Sequence, residues 1–420
     1  MTAPPTAGFL AGCRVLDLTG HAGAFCARLL ADLGADVIKI EPPAGDPGRR
    51  LGPFRDGAPG APDAERSLTW TFLNTAKRGV TLNLGVPSGR ALLRRLAARA
   101  DVLVESFPPG SMEGMGLGYS TLVGDNPRLV YTAITPFGQT GPYAQFKAPD
   151  LVLEAMAGHV YVLGDPDRPP VRISFPQSHA VAGAQAAVGT LIAYYHRLRT
   201  GRGQFVDVSG QQAVIWVLQD VHLFWDLTRS NVRRSGANRR RPDTGVMFPF
   251  VWQCRDGHLC FAIIGGCFGA RSLRALTDWM EEADASDDYL RGIDWMRFDW
   301  RVVSQADLDP IVARFSAFFR RFSMQELMEQ AVKRRIMLYP AFTSREILED
   351  PQLRARGFWR TVDDPWSGTM TFPGPPFRLD GRMVALRTPA PALGQHNAEV
   401  YGELELGAEE LAALRGSGAV

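Results

Sequence analysis

A histidine stands at the head of a run of small residues, SHAVAGAQAAVGTLIAYYHRLRTG, whose pattern predicts a helix over 180–199. Small side chains let a second backbone come close. An imidazole titrates near neutral pH, so His179 has the chemistry of a general base, and a helix N-terminus favours its neutral form. Residue type alone supports equally a hydrogen-bonded histidine in a packed interface. Direct acyl transfer to the imidazole would give an acyl-imidazole that water destroys. Ser178 would serve as a nucleophile with His179 beside it only if the two side chains converged, and neighbours on a helix point about a hundred degrees apart. Asp150, behind Pro149 in APDLVLEAMAG, sits where the helix dipole stabilises an acid whatever its function. Glu154, one turn on, shares its face and offers either a second carboxylate or a buried polar contact. Asp17 and Glu41, at strand ends, read as structural.

These side chains need a frame. RVLDL, then a helical stretch over 23–33, then GADVIKIE form one strand–helix–strand unit. GVTLNL, PSGRALLRRLAARA and DVLVESF form a second, with Pro87 in a tolerated first-turn position. LVYTAITPFG and QFVDVS add two strands, and Gly201 suits a left-handed helix cap. Such alternation predicts an α/β fold: an open, mostly parallel sheet with helices on both faces and ligands at the strands' carboxyl ends, here IEPP, VESFPPG and TPFGQTGP. No GxGxxG fingerprint follows the first strand. Further on come an arginine-dense loop (Arg233, Arg234, Arg239, Arg240, Arg241), a hairpin turning at Asp256-Gly257, amphipathic helices to about residue 335 and a proline-rich return over 373–397. The expected division is a large domain over 1–205, a linker helix over 206–235, a smaller α+β domain over 236–345, and a segment returning to the large domain over 346–420.

Lys plus Arg number 46 against 44 for Asp plus Glu, so no overall field draws the chain to nucleic acid or a membrane surface. No apolar run approaches the roughly 18–20 residues needed to span a bilayer, and the first twenty residues lack the charged start of a secretory leader, which together predict a soluble, cytoplasmic protein. Cys13, Cys26, Cys254, Cys260 and Cys267 show no paired spacing, so neither a disulfide framework nor a metal site is expected.

Seven stretches, in order and along nearly the whole chain, resemble the family III CoA-transferases of the CaiB/BaiF type, which include the α-methylacyl-CoA racemases. They are VLDLTGHAGAFCARLLADLGADVIKIEPPAGDPGR, NTAKRGVTLNL, ADVLVESFPPGSMEGMGLGY, NPRLVYTAITPFGQTGPYAQFKAPDLVLEAMAG, RTGRGQFVDVS, ILEDPQLRARGFW and PAPALGQHN. The resemblance implies a Rossmann-like large domain, a smaller domain, an interlocked homodimer, and coenzyme A or an acyl-CoA as substrate with a carboxylic acid as the other small-molecule partner. It implies that Lys77 and Arg78 pair with phosphates and that Ser106, Phe107, Gly138 and Gln139 cradle the nucleotide and pantetheine. In the family's transferases an aspartate ahead of the small-residue helix attacks the thioester. Counting back from RTGRGQ puts that position at 178 or 179, where this chain has Ser178 and His179. The racemases' histidine before the APD aspartate is Pro149 here. The expectation is an acyl-CoA enzyme that transfers CoA between carboxylic acids or acts on an acyl-CoA thioester by a variant mechanism, with its chemistry placed at His179. Two alternatives are an isomerase, racemase or lyase in which His179 and Asp150 shuttle a proton, and a non-catalytic acyl-CoA binder.

Overall fold

A computed structural model describes residues 8–55, 67–241, 243–364, 368–381 and 388–420. Six strands, β1 (Arg14–Leu18), β2 (Asp36–Glu41), β3 (Arg78–Thr81), β4 (Val102–Glu105), β5 (Val130–Thr135) and β6 (Phe205–Ser209), pair in parallel in the order 3-2-1-4-5-6. These are the six runs expected from the sequence. The chain builds outward from β1 to one side and from β4 to the other, so the order reverses between β1 and β4 and opens a crevice at their carboxyl ends.

Strand alternation sorts side chains by size. Leu16, Leu18, Ile38, Ile40, Leu103 and Tyr131 point to one face, under Leu92, Leu93 and Leu96 of the Pro87–Ala98 helix. Val15, Val37, Val102, Val104 and Val130 point to the other, under the helices Ala24–Asp32 and Ser178–Thr200, which contribute Cys26, Ala27, Ala182, Ala186, Ala187 and Ala193. Shorter residues on both sides of that second layer bring its helices close. A Cβ on Gly183 would lie 2.9 Å from Phe25 Cβ and 3.0 Å from the Cys26 nitrogen. The long helix ends as expected at Gly201, whose φ of 75° lets its N–H reach the Arg197 carbonyl.

Two compact units emerge: 1–158 with 173–218 and 351–420, and 159–172 with 219–350. Strand β6 and the following Gly210–Val217 helix therefore belong to the first unit, and 159–172 to the second. In the second, Val251–Gln253 and His258–Phe261 form the hairpin expected at Asp256-Gly257, and Leu338–Pro340 adds a third antiparallel strand. Its core is aromatic, with Trp252, Phe261, Trp279, Trp295, Phe315 and Phe319 packed among three long helices. In its arginine-rich loop, Arg241 is buried and pairs with Asp243 at 2.5 Å, while Arg234 donates to the Asp165 and Arg168 carbonyls.

The return segment covers the β3 edge. Gly79 N–H donates to His396 Nδ1 at 3.0 Å, Thr81 N–H to Asn397 Oδ1 at 2.9 Å, and the Tyr401 hydroxyl to the Thr81 carbonyl at 2.6 Å. Part of the proline-rich path, 382–387, lies outside the described residues.

Candidate functional site

The loops leaving β1 and β4 meet at the crevice, where Gly20 N–H donates to Ser106 Oγ at 2.9 Å. Beneath them lies a closed network. Asp17 accepts from Thr19 Oγ1 at 2.6 Å and from Lys77 Nζ at 2.7 Å, and Lys77 also donates to Asn74 Oδ1 at 3.0 Å. Burial pushes the Asp17 carboxyl up, but Lys39 and Lys77 outweigh it and hold the group below its ordinary range. Glu41 takes both arms of Arg49, at 2.7 and 2.8 Å. Both acids are thus engaged by cations of the chain itself.

Lys77 and Arg78, the cations expected at phosphates, both meet carboxylates of the chain. Lys77 is 2% exposed and its ammonium is engaged by Asp17. Arg78 grips Asp36 with two bonds, at 2.9 and 2.7 Å, and also Glu399 and Glu403. It stands at the amino end of β3, opposite the end where the crevice opens. The physical reason is that NTAKR leads into a strand rather than out of one. Both side chains are thus engaged by carboxylates of the chain itself.

Asp150 opens a helix, Asp150–Met156, and accepts from Ser178 N–H at 2.9 Å and Ser178 Oγ at 2.7 Å. It thus supplies the N-terminal acceptor that the long helix lacks in its own Gln177, and fixes the turn carrying His179. Glu154 is buried on the inner side of the same helix.

Two cavities flank His179. One, of about 440 Å³, is lined by the strand-end segments 106–109 and 134–136, by Gln145, Lys147 and Leu153, and by His179. The other, of about 550 Å³, is lined by Phe25, Leu51, Leu68, Phe72 and Phe175 together with His21 and His179. Ser106 and Phe107 line the first cavity, with the Phe107 N–H held by Glu105 at 2.6 Å. Burial raises Glu105 to about 8. Gly138, at φ 87°, and Gln139 form a turn fixed by Asp207, which accepts from Gln139 N–H at 3.1 Å; neither lines a described cavity. The structure brings together His179, Asp150, Ser106 and Phe107, and sets Lys77, Arg78, Gly138 and Gln139 apart from them.

Sequence reading missed His21. Its ring meets that of His179 edge to face, with centroids 5.4 Å apart. Burial lowers the pKa of both; His21 lowers that of His179 further, and Asp150 partly opposes the shift in each. Lys147, also missed, is the only charged side chain in the lining of either cavity among the described residues. The signal available for His21 was its place just past the end of β1, where open sheets bind ligands.

A crevice at the sheet reversal, with two cavities meeting an ionisable group at the head of a small-residue helix, gives an α/β protein with a candidate ligand site at its strand ends. The sequence pattern of CoA-transferase family III matches residues 10–397, and the chain belongs to that family. The succinyl-CoA:(R)-benzylsuccinate CoA-transferase subunit BbsE of Thauera aromatica is 36% identical over 97% of both chains. The formyl-CoA:oxalate CoA-transferase of Streptomyces avermitilis is 35% identical over 98% of this chain and 99% of its own. The crystal structure of a CaiB/BaiF family protein from Brucella suis superposes with a TM-score of 0.77 at 28% identity, covering 95% of this chain and all of that one. Among the described residues no helix is long and apolar enough to cross a membrane, and no cluster of three metal-ligating side chains occurs.

Proposed function

We propose that this chain moves CoA between an acyl-CoA and a carboxylic acid where the two cavities meet, without an enzyme carboxylate as acyl carrier. One observation carries the reading: His179 is the single described residue that lines both cavities. The 440 Å³ cavity, walled by strand-end backbone, suits the pantetheine arm, and the 550 Å³ cavity suits the acid. The named relatives pair a CoA thioester with an acid in the same way, succinyl-CoA with benzylsuccinate and formyl-CoA with oxalate.

No Asp or Glu is among the described residues lining either cavity. Asp150 is engaged by Ser178, and the cavity wall is formed by Leu153 rather than Glu154. The acceptor's own carboxylate therefore attacks the thioester carbonyl. A C–O bond forms, the C–S bond breaks, and CoA leaves as its thiolate. That thiolate attacks the other carbonyl of the mixed anhydride and releases the first acid as its carboxylate, so atoms and charge balance with no net proton transfer. A carboxylate nucleophile carries no proton to remove. His179 thus acts as a neutral hydrogen-bond donor that positions the attacking carboxylate against the thioester, rather than as a base.

Initial rates measured against both substrates should give intersecting lines, and hydroxylamine or borohydride should leave no modified residue. His179→Ala should lower turnover by roughly 10²–10³ with acyl-CoA affinity nearly unchanged. Parallel lines with a trapped acyl or CoA ester on Asp150 or Glu154 would sink the reading. Solvent deuterium entering the α-carbon without CoA exchange would assign the His179 and Asp150 proton shuttle instead.

The site operates in this reading within a homodimer. Support comes from Val188, Ile192, Tyr195 and Leu198, which recur at helical spacing on the long helix yet are exposed, Ile192 by 65%. A different family member as partner is favoured by one observation, that the Thauera aromatica relative is itself named a subunit.

A further inference from the structure

We propose that His21 and His179 together form a neutral, two-donor seat for the carboxylate of an arylalkyl or branched-alkyl monocarboxylic acid, whose apolar tail fills the 550 Å³ cavity. The inference rests on the reading that this cavity holds the acid.

The two rings meet at 5.4 Å, and the Nδ1 of each is buried without a partner. A buried N–H left unpaired is rarer and costlier than a buried lone pair left unpaired. Each proton is therefore assigned to Nε2, the ring nitrogen that is not both buried and unpartnered, and both rings line this cavity. Two neutral donors hold a carboxylate without quenching it. An arginine in the same place would hold it more tightly and blunt it as a nucleophile.

The rest of the wall decides what else the acid carries. Phe25 and Phe72 stack at 6.3 Å with 17° between their planes, and Leu51, Leu68 and Phe175 complete an apolar surround. Apart from the two histidines, Thr69 supplies the polar side chain of the lining, and no charged one is present among the described residues. A second carboxylate on the acid would be buried with no cation to receive it, which burial energetics disfavour strongly. A ring or branched chain would replace water against aromatic faces.

The test is calorimetric titration of the full chain with 3-phenylpropanoate, 3-methylbutanoate and succinate, a readout independent of turnover. The two apolar acids should bind at least about tenfold more tightly than succinate. His21→Leu should weaken 3-phenylpropanoate about tenfold or more, while His21→Gln, whose amide N–H stands near the position of Nε2, should stay within about threefold. Melting temperatures of both variants establish that they are folded, and the glutamine variant carries the test if the leucine variant is not. Equal or tighter binding of succinate, or an unchanged affinity in folded His21→Leu, overturns the proposal. Selective binding without any CoA transfer would leave this seat standing and remove the proposed function. Transfer preferring succinate would do the reverse.

Discussion

At the scale of single residues, the pH profile separates a donor from an acid. Burial and the neighbouring His21 lower the His179 pKa from its ordinary 6.5, with Asp150 opposing, while Asp46 opposes the shift of His21 and Lys39 lines the same small recess as that pair. If the neutral ring works, kcat/KM is full above the lowered pKa and falls only as pH drops through it, below 6.5. His21→Gln removes a charge that repels the His179 proton, so this acid limb should move to higher pH. Activity that rises toward acid would assign the protonated ring as the working form, and a native acid limb at or above 6.5 would assign the fall to a group other than His179. The place of His179 was legible because a small-residue helix with a terminal histidine is an unusual pattern. His21 was not, since a lone histidine in a short loop carries no spacing, and the packing of the long helix against Ala24–Asp32 is what sets the two rings together.

At the scale of elements, the same limit explains Lys77 and Arg78. Two adjacent cations look alike in a sequence, yet alternation sends one inward to Asp17 and the other to the amino end of the sheet. Lys77→Met should therefore destabilise the protein by about 3–5 kcal/mol in denaturant unfolding, because Asp17 stays buried without its closest cation. CoA affinity of the folded protein should not change; a selective loss of CoA binding with stability intact would return Lys77 to the ligand. The strands themselves were legible because buried parallel strands are continuous apolar runs. The alanine-rich run had an equally physical reason, visible once Gly183 is seen against Phe25.

At the scale of the whole molecule, sedimentation should find a dimer at micromolar protein, and Ile192→Glu should shift it toward monomer with loss of activity. A wild-type monomer that is folded and active would remove the dimer, and activity appearing only on mixing with a second family member would make the partner a different chain. The strand that the last segment reaches was not readable in the sequence, because contacts over such separations leave no local pattern. That separation has a consequence during synthesis. Gly79 and His396 are 317 residues apart, so a ribosome adding about 5–20 residues per second makes β3 roughly 15–60 s before its cover. Throughout that interval the outer edge of β3 offers its unpaired N–H groups to any other emerging chain. The hydrogen bonds from 396–401 are thus the step that withdraws a sticky edge from the crowded surroundings of the polysome, and chaperone demand should concentrate on the chain before that step rather than after it.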